Sequence, residues 1–159
     1  MGVKHLYLLR HAKSSWKDSS LSDYERPLNK RGSANAPMMA QRFKKKHCKL
    51  DVIITSGALR AQTTASVFAD ILSCHNLHVN DSIYGASLLE LLNLLHVNFK
   101  RYDHVMIVGH NPDLTELSNY LSNHYIENIP TCGMVALKFD AKKIRKHSLQ
   151  LQFFDYPKK

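Results

Sequence analysis

Cysteine is scarce in this sequence, and what there is does not pair. Cys48, Cys74 and Cys132 are odd in number, and no two form a Cys-x-x-Cys. A disulfide framework is not expected, and the thiols read as small buried or partly exposed residues in a reducing compartment. Cys74, His75 and His78 lie close together, but their spacing follows no usual zinc pattern, so no metal is assigned there. Long apolar runs are missing as well. The run Leu6 to Leu9 is too short for a signal-peptide core and is closed by Arg10 and His11. No segment approaches the length of a membrane span, so a cytoplasmic protein without membrane attachment is expected. There is no repeat, low-complexity tract or Pro/Gly-rich linker, and residues 1–159 read as one domain with one core. Carboxylates are the minority charge, 13 against 22 Lys and Arg, for a net charge of +9. That balance favours anionic partners: phosphate esters, phosphoproteins, nucleic acid or acidic lipid. The basic run Lys44-Lys45-Lys46, with Arg42 before it, reads as a solvated helix end, where lysines suit the helix dipole.

What is present is an alternation of short apolar strands and amphipathic helices. Lys4 to Leu9 reads as a buried strand, and Ser14 to Lys30 as a long polar loop. A helix is expected from about Asn35 to His47, with Pro37 tolerated in its first turn. Asp51–Thr55 is a second strand, and Leu59–Ser73 a helix with Ala65, Phe68, Ala69 and Leu72 on one face. His78–Ile83 reads as a weaker strand, Ser87–Phe99 as an apolar helix and Tyr102–Val108 as a strong strand. Asn111-Pro112 opens a helix expected over Asp113–Leu121, with a capping residue and then proline at the first helical position. Met134–Phe139 and Leu149–Phe153 close the chain. In the last, Leu149, Leu151 and Phe153 alternate with glutamines, as in a strand with one buried face. The order predicts a three-layer α/β/α sandwich on a mostly parallel, mixed sheet. The short basic connection Asp140–His147 predicts an antiparallel hairpin at its end.

Ligands of open α/β sheets bind beyond the carboxyl ends of the strands. The first strand delivers Arg10 and His11 there, the second is followed by Arg60, and the strand at 102–108 by Gly109 and His110. Two histidines and two arginines from three strand ends suit phosphoryl chemistry. Arginine holds phosphoryl oxygens with a planar fork of donors and stays charged. A neutral imidazole can attack phosphorus, and neighbouring guanidinium groups disfavour its protonation. A second histidine can donate to oxygens as charge develops, and the helix start near Asn111 can add backbone donors.

These segments resemble a known family. LLRHAKSSW (8–16) is similar to the Arg-His-Gly motif of the histidine phosphatase superfamily, with Ala12 in place of the glycine as in its SixA-type phosphohistidine phosphatase branch. Arg26-Pro27-Leu28 with Arg31-Gly32, SGALRAQTTA (56–65) and VGHNPDLTEL (108–117) resemble further motifs of that branch, in order over roughly residues 3–140. The resemblance implies a phosphoglycerate mutase-like fold. It implies that His11 accepts the phosphoryl group, that Arg10, Arg60 and His110 form the phosphate pocket, and that Arg26 joins from the loop. Ser14 is a further candidate contact. The family needs neither metal nor organic cofactor.

The general acid of larger superfamily members does not carry over, because this chain is too short for the insertion that bears it. Glu90 and Asp18 are the candidates, against their plain readings as a helix-surface and a turn residue. A phosphohistidine leaving group, with an imidazole pKa of about 6.5, needs little acid help. The expected partners are therefore a phosphorylated protein, or a small phosphorylated substrate as the alternative, with phosphate or sulfate able to occupy the site. A non-catalytic anion- or nucleic-acid-binding module is the rival from another class. It predicts salt-sensitive binding without turnover and leaves the strand-end histidines unexplained.

Overall fold

The computed structural model describes residues 2–140 and 144–159. Among these residues six strands and four longer helices succeed one another: β1 (Val3–Arg10), α1 (Lys30–Lys45), β2 (Val52–Thr55), α2 (Leu59–Leu72), β3 (Leu77–Val79), α3 (Leu88–Phe99), β4 (His104–Gly109), α4 (Asp113–Leu121), β5 (Met134–Asp140) and β6 (Gln150–Asp155). They form one sheet in the order β3-β2-β4-β1-β5-β6. β1, β2, β3 and β4 are parallel, whereas β5 runs antiparallel to β1 and β6 antiparallel to β5.

Alternation along the central strands divides the core in two. Leu6 and Leu8 of β1 and Val105 and Ile107 of β4 face α3 and α4, packing with Leu91, Leu95, Leu114 and Leu117. Tyr7, Leu9, Met106 and Val108 face the opposite way onto α1 and α2, against Met39, Phe43, Ala65 and Phe68. Each such fully buried large side chain contributes about 1.5–3 kcal/mol. The result is the expected α/β/α sandwich. β1 and β4 lie side by side, yet α1 leaves β1 for one face of the sheet and α4 leaves β4 for the other. Their carboxyl ends thus flank a topological switch point, where such sheets open a crevice. Among the described residues, no helix is long and apolar enough to cross a membrane.

Several local expectations are corrected. α1 begins at Lys30 rather than near Asn35, because the Asn29 side chain accepts from the Gly32 N–H and caps it there. Pro37 consequently sits inside the helix, where it offers no N–H to the Ser33 carbonyl. The weak strand at 78–83 is shorter, Leu77–Val79, because Asn80 caps a 3-10 turn over Asp81–Ile83. α4 spans Asp113–Leu121 as expected, but Pro112 holds the capping position instead of the first helical one; Asn111, one residue earlier, accepts from the Thr115 N–H at 3.2 Å. The closing hairpin is antiparallel as expected, although residues 141–143 of its connection lie outside the described residues. A bulge at Ala136/Leu137 pairs Leu151 with Leu137 and Phe153 with Ala136. Leu151 therefore packs on one face of the sheet and Phe153 on the other, not both on one.

Candidate active site

β1 ends in a net of backbone bonds that fixes the next residue. The His11 N–H donates to the Gly109 carbonyl at 3.1 Å, and the Cys132 N–H to the carbonyls of Arg10 and His11 at 3.1 and 3.0 Å. Cys132 serves both from a left-handed backbone, φ 58°, a conformation that costs a non-glycine residue about 1 kcal/mol or more. Its thiol is buried and its pKa pushed up to about 12, so it is no nucleophile at neutral pH. The Ala12 N–H donates to Thr64 Oγ1 at 3.0 Å, and Ala12 is fully buried.

The His11 ring lies 2.7 Å from the Ala12 carbonyl through Nδ1. A carbonyl only accepts, so Nδ1 carries the proton and Nε2 keeps its lone pair. Burial lowers the His11 pKa to about 3, with His110, Arg60 and Arg10 pushing the same way against the Ala12 bond. At neutral pH the ring is therefore uncharged. His110, with its ring centroid 5.1 Å from that of His11, is 2.8 Å from Ser56 Oγ through Nε2 and 3.5 Å from an Arg60 nitrogen through Nδ1. Guanidinium only donates, so Nδ1 is the acceptor and Nε2–H points at Ser56. Burial first and Arg60 second lower the His110 pKa to about 4.

Three guanidinium groups surround this pair. Arg10 donates to the Ile129 carbonyl at 2.9 Å. Arg60, in the first turn of α2, donates to the Asp23 carbonyl at 2.6 Å and carboxylate at 2.9 Å. Arg26 reaches in from the loop, donating to Asp23 at 3.1 Å and Ser14 Oγ at 2.7 Å, with its guanidinium stacked 3.5 Å over the Trp16 ring. Nε of Arg10 and Nε of Arg60 are buried donors without a hydrogen-bond partner, each a cost of about 1–3 kcal/mol that functional sites tolerate.

The cavity over these groups holds about 250 Å³ and is lined by Arg10, His11, Lys13, Ser14, Trp16, Arg26, Arg60, His110, Asn111 and Thr131. Among the described residues, no carboxylate lines it. Every residue expected from the strand ends, with Arg26 and Ser14, is therefore brought together. The two acid candidates are not among the lining residues. Glu90 closes a capping box with Ser87 at the start of α3, and Asp18 bonds Ser20. Those bonds lower both pKa values, the wrong direction for a general acid. Of the backbone donors expected at the start of α4, Leu114 N–H is bonded to His110 and Thr115 N–H to Asn111.

Sequence reasoning missed Asp23 and Tyr84. The Tyr84 hydroxyl donates to Asp23 at 2.6 Å and its ring meets His110 edge-on, 5.4 Å between centroids. Tyr84 first, then Arg60 and Arg26, hold the Asp23 carboxyl far below the usual carboxylate range. Tyr24, bonded to Asp81 at 2.6 Å, pins the same turn. Gly57 makes this approach possible, since a Cβ there would collide with the Tyr24 hydroxyl and the Asp81 carboxylate. Asp23 had a signal, its i,i+3 relation to Arg26; Tyr84, 61 residues away from Asp23, had none.

The sequence profile of the histidine phosphatase superfamily (branch 1) matches residues 6–83. A chloroplastic protein of Arabidopsis thaliana, itself uncharacterised, is 31% identical over 145 residues, which is 85% of this chain and 66% of that one. The chain thus spans just under two thirds of that relative. Among solved structures, a putative phosphohistidine phosphatase SixA from Agrobacterium tumefaciens superposes with a TM-score of 0.83 at 26% identity, covering 97% of this chain and 98% of the other. A protein histidine phosphatase SixA complexed with tungstate gives 0.81 at 18% identity, covering 94% and 95%.

Proposed function

Because this chain belongs to the histidine phosphatase superfamily, we propose that it is a phosphatase that removes the phosphoryl group from phosphohistidine in proteins through a covalent intermediate on His11. One observation carries the reading. A buried, neutral imidazole is locked by Ala12 into the tautomer that presents Nε2, in a cavity whose described charged groups are all cationic. Tungstate, a phosphate-shaped oxyanion, is the ligand of one of the structural relatives, and an oxyanion suits the forks of Arg10, Arg26 and Arg60.

In the first step Nε2 of His11 attacks phosphorus and the bond from phosphorus to the substrate nitrogen breaks. The arginines take up the equatorial oxygens as their charge develops, while His110, whose Nε2–H is directed at Ser56 and whose Nδ1 accepts from Arg60, holds Arg60 in place. A substrate ring that already carries a proton on its other nitrogen takes the electron pair of the broken bond and leaves as neutral imidazole, with no proton to be supplied at that moment. Water next attacks the phosphoryl group on His11. The phosphorus–Nε2 bond breaks, phosphate leaves with a released proton, and neutral His11 returns. Among the described residues no carboxylate lines the cavity, and Glu90 and Asp18 are committed elsewhere. An imidazole leaving group tolerates that lack, whereas an alkoxide does not.

The test is phosphate release, with EDTA present, from a phosphohistidine protein and from alkyl phosphate monoesters. The proposal expects phosphohistidine to turn over faster and His11→Ala to stop the reaction. Faster turnover of the alkyl esters would move the small-molecule phosphomonoesterase reading ahead.

A further inference from the structure

Beside the active-site cavity lies a second one of about 470 Å³, which shares Lys13 and Thr131 with it. Its charged groups are Lys13, Arg31 and Lys158, and among the described residues no carboxylate lines it. The heads of these three cations take part in no ion pair among the described residues. Met38, Pro130 and Pro157 add apolar surface.

Both sides of this groove are held in place. Terminal segments are usually poorly ordered unless tied down. Here Arg42 of α1 donates to the Asp155 carboxylate at 3.1 Å and to the carbonyls of Tyr156 and Pro157 at 3.0 and 3.2 Å. That fork fixes the tail that presents Lys158. On the other side the Asn29 N–H donates to the Lys13 carbonyl at 3.0 Å. Gly32 permits the contact, since a Cβ there would collide with that carbonyl. The start of α1, with Arg31, is thereby tied to the loop after His11.

We propose that this groove is the docking surface for an acidic polypeptide segment flanking the phosphohistidine of the substrate protein. The inference rests on the phosphohistidine-protein reading above and adds which proteins the site accepts. The inner cavity suffices for a phosphoryl group and its imidazole. A cationic groove continuing from it serves a substrate that extends past the reacting residue. Unpaired cations beside methionine and proline suit carboxylates interspersed with apolar side chains. Single-stranded nucleic acid would call for aromatic platforms. The one aromatic ring among the described lining residues, that of Tyr156, already lies against Phe154, 5.1 Å between centroids.

The test compares wild type with the double variant Arg31→Glu/Lys158→Glu. The substrates are free phosphohistidine, a phosphohistidine peptide flanked by glutamates and one flanked by lysines. Both positions are exposed, so folding is expected to survive, and the free amino acid reports the catalytic centre. The expected result is a fall in kcat/KM of about tenfold on the acidic peptide, a gain on the basic one and no change on free phosphohistidine. Arg42→Ala, which releases the tail, should raise KM for the acidic peptide alone. Equal effects on all three substrates, or none, would overturn the groove assignment while leaving the phosphatase reading intact. So would stronger inhibition by an oligothymidylate than by an oligoglutamate of equal length. If wild type hydrolysed no phosphohistidine substrate, the phosphatase reading would fall and the groove assignment with it.

Discussion

The same two strands carry a histidine pair at each end, and the pairs are chemically opposite. At the amino ends of β1 and β4, His5 and His104 are register partners with rings stacked 4.9 Å apart, 6° from parallel. Carboxylates close that end: Asp51 lies 3.1 Å from His104, and Asp103 lies 2.9 Å from Lys4. At the carboxyl ends, His11 and His110 sit 5.1 Å apart at 49° among three arginines, in a cavity that no carboxylate lines among the described residues. A histidine pair is therefore not a site in itself. Burial and cationic surroundings keep the second pair neutral, and neutrality is what gives His11 a lone pair to use.

The largest effect short of removing the nucleophile is expected from stripping that charge. Arg60→Ala should lower kcat by about 10²–10³. Arg60→Lys should recover only part, since an ammonium lacks the fork that meets both Asp23 and phosphoryl oxygens. Steady-state kinetics on a phosphohistidine substrate would check both.

Asp23 is where the two ends come closest in character, a carboxylate set against Arg26 and Arg60. Asp23→Asn leaves these forks less neutralised. Inorganic phosphate should then inhibit about tenfold more tightly, roughly 1.4 kcal/mol, while kcat falls because Arg60 loses its orienting partner. Unchanged phosphate inhibition would show that Asp23 does not compete for the forks.

Titration sharpens the contrast further. The folded-state pKa values of His11 and His110, about 3 and 4, lie below the ordinary histidine value of 6.5. Above pH 6.5 both rings are neutral in the folded and unfolded chain. Below it the unfolded chain binds protons first, so stability is lost as the pH falls from about 6.5 towards 4. His110→Asn should flatten that slope in denaturant melts across this window, and the ring signals of His11 and His110 should not move between pH 8 and 5. The smallest effect belongs to the other end. His104→Ala should leave turnover unchanged and cost about 1 kcal/mol of stability or less, as for one partly exposed hydrogen bond.

Much of this was legible in the residues. The apolar runs located β1, β2 and β4, and the segments just past each strand named Arg10, His11, Arg60 and His110, because strand ends are local in sequence. The features that escaped were set by tertiary context. The bulge that splits Leu151 from Phe153 depends on pairing with β5. The capping strength of Asn29 against the helix-breaking reputation of Pro37 decided where α1 begins. Tyr84 enters the site only because the turn after β3 packs against Asp23.

The central question is where the phosphoryl group goes. Wild type mixed with a phosphohistidine protein, quenched in alkali before phosphoryl hydrolysis is complete and mapped by mass spectrometry under phosphoramidate-preserving conditions, should carry one phosphoryl group on His11. His11→Ala should carry none and release no phosphate. A phosphoryl group found on another residue, or full turnover by His11→Ala, would contradict the account.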